Sequence, residues 1–321
     1  MKAIVGTNYG GPDKLELREL ETPVAGADEV LIQVRASSVN PYDWHLMRGH
    51  PYVVRLVYGL RRPKRPIPGV DVAGIVEGVG ADVTGFRPGD EVLGCAGGSL
   101  AEYVTAPAKD LILKPADMTF EQAATVTLAG CTALQAVRDQ GELQSGQRVL
   151  VNGAAGGIGT FAVQIAKALG ANVTGVCSTR NVDMVRSIGA DSVVDYTAED
   201  FTRQGEKYDL ILDAVGKRSL SDLRRALTSK GTLVIVGGAD GNWVRPLALP
   251  LKGAIVSRFV SQRLRFFVAK ICREDLLVLT ELVTTGKLTP VIDRTYALAA
   301  GAEAIAYLEA GHARGKVIVT P

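Results

Sequence analysis

The sequence predicts an α/β chain in two parts, a β-rich first part and then a doubly wound parallel sheet of six strands. Three observations carry that expectation. Residues 29–36 (EVLIQVRA) alternate apolar and polar with a period of two, and Gly, Pro and Asp punctuate short strands as far as Lys114. From about Thr119 the pattern changes to apolar strands separated by helical stretches. At residues 147–159 (QRVLVNGAAGGIG) a short strand runs into a glycine turn and then a helix.

Taken in order, the second part predicts strands at 148–151, 172–177, 192–195, 208–214, 231–236 and 254–260, with helices such as 160–169 and 219–228 between them. Six strands with crossover helices specify a doubly wound sheet, because parallel neighbours need a return connection. Beyond Ala269 a helical stretch, REDLLVLTELVTTG, leads to a strand at 292–296, a second helix and a last strand at 316–320. This tail is expected back on the first domain, since the six-stranded sheet is already complete. The domain boundaries are therefore 1–118, 119–265 and the returning segment 266–321.

At 321 residues, 47% hydrophobic and 22% charged, the chain can bury two modest cores. A formal charge of +2 gives no electrostatic reason to expect nucleic acid. Cys95, Cys131, Cys177 and Cys272 lie far apart with no CxxC pair, which fits reduced thiols and argues against a cysteine-built zinc site. The first residues lack an apolar signal core and no run reaches the length of a membrane span, so a cytoplasmic protein is expected.

The glycine turn carries the first functional reading. Ala154-x-Gly156-x-x-Gly159 follows a strand and opens a helix, so Ala155, Gly156, Gly157, Ile158 and Gly159 form a cradle. Its N–H groups, at the positive end of the helix, suit a pyrophosphate, and the cradle predicts a dinucleotide cofactor. In domains that prefer NADH an acidic residue ends the second strand and binds the ribose 2′-hydroxyl. Here that strand ends Cys177-Ser178-Thr179-Arg180, with no carboxylate. Ser178 and Thr179 offer hydroxyls and Arg180 a fork suited to phosphate, so NADPH is expected.

Residues 72–92 (VAGIVEGVGADVTGFRPGDEV), Gly98-Ser-Leu-Ala-Glu-Tyr-Val104, Val39-Asn-Pro-Tyr-Asp43 and the glycine turn together resemble the medium-chain dehydrogenase/reductase superfamily. Within it the chain looks like the zinc-independent quinone oxidoreductase branch. The resemblance spans nearly the whole chain. It implies a GroES-like catalytic domain and a Rossmann domain, usually assembled as homodimers through Rossmann sheet edges, here through residues 254–260. It also implies cofactor contacts at Tyr196, Val215, Gly216, Gly237 and Lys316, and a threonine, Thr132, against the nicotinamide. Lys316 alternatively reads as a solvated side chain at a strand start.

Zinc-dependent relatives take one metal ligand from a Gly-His-Glu motif. The matching stretch is Gly69-Val70-Asp71, and valine cannot coordinate. The first cysteine ligand is absent from residues 36–43 (ASSVNPYD), and Cys131 alone reads as a packed small hydrophobe. No metal is expected. Without a Lewis acid a simple ketone is poorly polarised, whereas a quinone or conjugated enone spreads the charge of an added hydride. A hydrogen-bond donor near the carbonyl then suffices. Asn40 is the candidate donor, or else it caps the turn before Pro41. Tyr42 and Tyr52 flank that loop and offer phenols, or else half-buried packing, and Asp43 is expected to hold the loop.

Two cationic stretches remain. Residues 55–65 (RLVYGLRRPKR) read as an inserted loop, and 258–273 (RFVSQRLRFFVAKICR) as a core-facing helix with a charged outer face. A sharper reading of both is contact with an anionic lipid surface. An NADPH-dependent reduction of a quinone or enone is the function expected. The alternatives are a 2-enoyl thioester reductase, whose phosphorylated carrier the cationic loop could meet, and a weakly catalytic nucleotide-binding interaction protein.

Overall fold

The computed structural model describes residues 1–236 and 261–321. Its strands are β1 (Lys2–Val5), β2 (Glu16–Glu19), β3 (Glu29–Val39), β4 (Asp71–Val79), β5 (Glu91–Cys95), β6 (Tyr103–Pro107), β7 (Leu111–Leu113), β8 (Arg148–Asn152), β9 (Asn172–Cys177), β10 (Ser192–Asp195), β11 (Tyr208–Asp213), β12 (Leu227–Ile235), β13 (Arg263–Phe266), β14 (Ile292–Ala297) and β15 (Lys316–Thr320). The chain divides into two compact units. One holds Met1–Cys131, Ile271–Thr285 and Pro290–Pro321; the other holds Thr132–Lys270 and Gly286–Thr289.

In the first unit a seven-stranded sheet runs β14-β15-β3-β4-β5-β7, with β6 also paired to β3, and β1 and β2 form a separate ribbon. The alternation seen from residue 29 works as expected. Val30, Ile32 and Val34 of β3 are buried with Val72, Val76, Val92 and Val104 in one core. Each such side chain contributes about 1.5–3 kcal/mol by leaving water. The tail does return: β15 pairs antiparallel with β3, Val317 opposite Val39. On the other side of β3, Ser38 stands opposite Asp71 of β4. These two registers bring Ser38, Asn40, Asp71 and Lys316 to one place, which composition alone does not show. The helix Phe120–Thr125 belongs to this unit and packs on β3 and β4, although residues 119–131 were expected with the second domain.

The second unit contains a six-stranded sheet in the order β10-β9-β8-β11-β12-β13, every neighbouring pair parallel. This is a doubly wound Rossmann sheet, and with the GroES-like first unit it matches the expected fold class. Leu150, Val176, Ile211 and Leu233 meet in its core. The strand expected at 254–260 lies outside the described residues, as do Gly237 and the dimer edge assigned there. The edge strand that pairs with β12 is β13, inside the stretch expected to be helical. The physical reason is the alternation Arg-Leu-Arg-Phe. Leu264 and Phe266 pack on the core, and Arg263 and Arg265 are exposed.

Candidate active site

The loop after β3 carries the candidate residues of the first unit. Asn40 precedes a helix, Pro41–Arg48, with Pro41 at its first position and Gly49 ending it in the left-handed region at φ +63°. Asp43 accepts the Asn40 backbone N–H at 2.7 Å and the Gly69 backbone N–H at 2.9 Å, so it holds this loop against the next one. Burial pushes the Asp43 carboxyl up to about 7, although those two hydrogen bonds hold it down.

Asp71 is fully buried and collects four donors. Its Oδ2 accepts from the Ser38 hydroxyl at 2.5 Å, the Asn40 amide at 2.9 Å and the Lys316 ammonium at 3.4 Å. Its Oδ1 accepts from the Leu128 backbone N–H at 3.0 Å. Lys316 also donates to Asn40 Oδ1 at 2.5 Å. Lys316 is 2% exposed, so the solvated reading of that side chain is overturned. The Asn40 amide donates to Asp71 and, at 3.2 Å, to the Ser38 carbonyl. Both of its protons are therefore spent inside the protein, and in this conformation Asn40 cannot donate to a substrate carbonyl.

Tyr42 and Tyr58 meet edge to face, with ring centroids 6.1 Å apart. Tyr42 lines a pocket together with Leu46, Ile67 and Val70. Burial, reinforced by its hydrogen bond with Tyr58, pushes the Tyr42 phenol above its usual range, so it keeps its proton at neutral pH. Tyr52 is not among the residues lining that pocket. Its ring stacks edge-on against His50 at 4.7 Å and under the Arg55 guanidinium at 4.6 Å. Thr132 is buried on the short helix Cys131–Leu134 and opens the second unit.

The cofactor residues gather at the carboxyl ends of the parallel strands of the second unit. After β8 the chain turns through Gly153 (φ +88°) into the helix Gly157–Ala168. A Cβ on Gly159 would sit 2.1 Å from the Gly153 carbonyl oxygen, so only glycine allows the helix to start this close to the strand. The first N–H groups of that helix have no acceptor within it, and its first turn carries no acidic residue. Asn152 donates to Asp213 Oδ1 at 2.8 Å, and the Val215 and Gly216 N–H groups donate to the same oxygen at 3.1 Å each. The backbone N–H groups at those two positions, both expected as cofactor contacts, are thus engaged by Asp213. Two buried side-chain oxygens, Asp213 Oδ2 and Asn181 Oδ1, have no partner among the described residues. Both lie on this rim, where a ligand's hydroxyl or amide groups would satisfy them. The cradle fits a dinucleotide.

The segment Ser178–Arg180 and Tyr196 follow neighbouring strand ends, because Cys177 pairs with Asp195. That pairing also delivers a carboxylate missed in the sequence. Thr179 donates its hydroxyl to Asp195 at 2.5 Å, and Thr197 donates to the other oxygen at 2.7 Å. These bonds, the Thr179 one foremost, hold the Asp195 carboxyl below its usual range. The end of β9 carries no carboxylate; the acid that faces this loop comes from the end of β10. Register between neighbouring parallel strands was the signal that could have found it.

For a zinc, the donor set fits poorly. Val70 offers no ligand atom and Asp71 is saturated by donors. Burial raises the Cys131 thiol, and pushes the Cys95 thiol up to about 12, so both stay protonated.

Residues 26–116 match the Alcohol dehydrogenase GroES-like domain family, and residues 188–319 the family described as Zinc-binding dehydrogenase. The chloroplast envelope quinone oxidoreductase homolog of Arabidopsis thaliana is 32% identical, covering 100% of this chain and 98% of that protein. The chloroplastic NADPH-dependent alkenal/one oxidoreductase of the same plant is 34% identical over 100% of this chain and 80% of its own length. The crystal structure of Escherichia coli quinone oxidoreductase complexed with NADPH superposes with a TM-score of 0.86 at 25% identity, covering 100% of both chains. The chain belongs to the medium-chain dehydrogenase/reductase superfamily, in its quinone oxidoreductase branch.

Proposed function

We propose that this chain is an NADPH-dependent reductase of quinones and α,β-unsaturated carbonyl compounds that works without a metal. The observation that carries the reading is the cradle at Gly153–Gly159: a turn that a single Cβ would close, opening a helix with no acid in its first turn. A bound nicotinamide cofactor supplies the hydride. The relatives named for quinones and for alkenals and alkenones support this acceptor class.

The protein's part is to bind, orient and protonate. Gly157, Ile158 and Gly159 hold the pyrophosphate through their N–H groups, with Ala155 and Gly156 giving it close approach. Val215 and Gly216 are held by Asp213 and shape the rim. Ser178 and Arg180 meet the adenosine 2′-phosphate, and Tyr196, half exposed, flanks it. Thr132 would lie against the nicotinamide. Tyr42 keeps its proton at neutral pH, and on turning from Tyr58 its phenol would be the donor to a carbonyl oxygen. Asn40 has a positioning role, tying the loop that carries Tyr42 to Asp71 and Lys316. Four free cysteines support a reducing, cytoplasmic setting. Among the described residues no helix is long and apolar enough to cross a membrane.

The test is steady-state oxidation of NADPH and NADH against a panel of quinones, enones and simple ketones. Turnover confined to conjugated acceptors, with higher kcat/KM for NADPH, is expected. Efficient reduction of a simple ketone or aldehyde would refute the acceptor class.

A further inference from the structure

We propose that the pocket beside Tyr42 binds the acceptor and selects conjugated carbonyl compounds that carry an anionic substituent, with Arg65 as the recognising cation. The proposal rests on the reductase reading and adds the substrate's charge. All the residues involved lie in the first unit. Leu46 and Ile67 give apolar walls, and Tyr42 and Tyr58 close one side with their edge-to-face rings, a surface suited to a flat conjugated ring.

Arg65 lines the same pocket. Its guanidinium lies over Gly97, where an added Cβ would come within 2.5 Å of Nη1, so the absence of a side chain at 97 seats it there. From residue 44 to residue 70 the chain holds six cations, Arg48, Arg55, Arg61, Arg62, Lys64 and Arg65, and no acid. Three of them are committed. Arg48 pairs with Glu309, Arg55 donates to the Gly49 carbonyl between two aromatic rings, and Lys64 donates to the Val57 carbonyl. Arg65 makes no hydrogen bond or ion pair among the described residues. The carboxylate on the pocket wall, Asp43, is turned to the backbone of Asn40 and Gly69. An exposed guanidinium beside an apolar, aromatic wall is the chemistry that recognises a sulfonate, carboxylate or phosphate attached to a ring or enone.

The experiment compares 1,2-naphthoquinone-4-sulfonate with uncharged 1,2-naphthoquinone, using the wild type, Arg65→Met and Arg65→Lys. Two readouts are taken: kcat/KM with NADPH, and direct titration of the sulfonate onto the protein followed by tryptophan fluorescence. In R65M the ratio of kcat/KM, charged over uncharged, falls about five- to tenfold, and the Kd of the sulfonate rises by a similar factor. R65K recovers most of both, because the charge is kept. An unchanged ratio and an unchanged Kd in R65M would overturn the proposal. If the wild type reduces neither quinone, the reductase reading fails, and the titration still decides whether Arg65 holds the anion.

Discussion

Lys316 shows how a single side chain organises the loop that begins at Asn40. Its ammonium, beside the fully buried Asp71 carboxylate, offsets a charge that no water can reach. Lys316→Met leaves Asp71 with hydrogen-bond donors but no counter-charge, and is expected to lower stability by about 3–5 kcal/mol. Combining K316M with Asp71→Asn restores part of that loss in urea unfolding; simple additivity of the two would contradict the pairing. Asp43 gives a pH signature. Its folded value, about 7, lies above the roughly 3.9 of an unfolded aspartate. The native state therefore holds more proton between those limits, so this group's contribution to stability is full below about pH 4 and is lost as pH rises through 7. Asp43→Asn removes that slope and costs about 1–3 kcal/mol, because one amide N–H must face a backbone N–H. A stability profile between pH 4 and 7 that is unchanged in the variant would contradict this assignment. Asp195 gives a test of the proposed cofactor choice. Asp195→Asn is expected to improve kcat/KM for NADPH over NADH about threefold, since an ionised carboxylate no longer faces the loop of Ser178–Arg180.

At the scale of elements, the strand, turn and helix at residues 148–168 were legible because period, glycine spacing and order agreed with one another. Gly159→Ala tests the turn: its methyl would meet the Gly153 carbonyl, and NADPH affinity is expected to fall at least about tenfold. Native-like affinity in G159A would mean that the turn does not set the cradle. Within the described part of the stretch expected as a helix at 258–273, residues 261–272 are not helical, for a local reason. Basic residues spaced among apolar ones satisfy both a helical face and a strand's alternation, and only the neighbouring β12 decides for the strand at Arg263–Phe266. The buried network was illegible for a different reason. Asp71 is 33 positions from Ser38 and 245 from Lys316, and only the registers of β3 with β4 and with β15 bring them together. The place of Asn40 in the loop is legible in the sequence, but its hydrogen-bond capacity is fixed by those distant partners.

For the whole molecule, the fold class followed from patterns that cover most of the chain, and both units bear it out. The proposed chemistry draws on what the first unit supplies: a protonated phenol, a cation at the pocket wall, and a loop pinned by Asp43, Asp71 and Lys316. Valine at position 70 removes an imidazole from the motif that holds zinc in related dehydrogenases. The central claim is therefore hydride transfer to a conjugated acceptor with no metal taking part. The most direct test is the rate of quinone reduction by NADPH after exhaustive dialysis against a chelator, with the metal content of the same sample measured. Full activity at negligible metal content is the predicted result. Loss of turnover that returns on adding zinc would contradict the account.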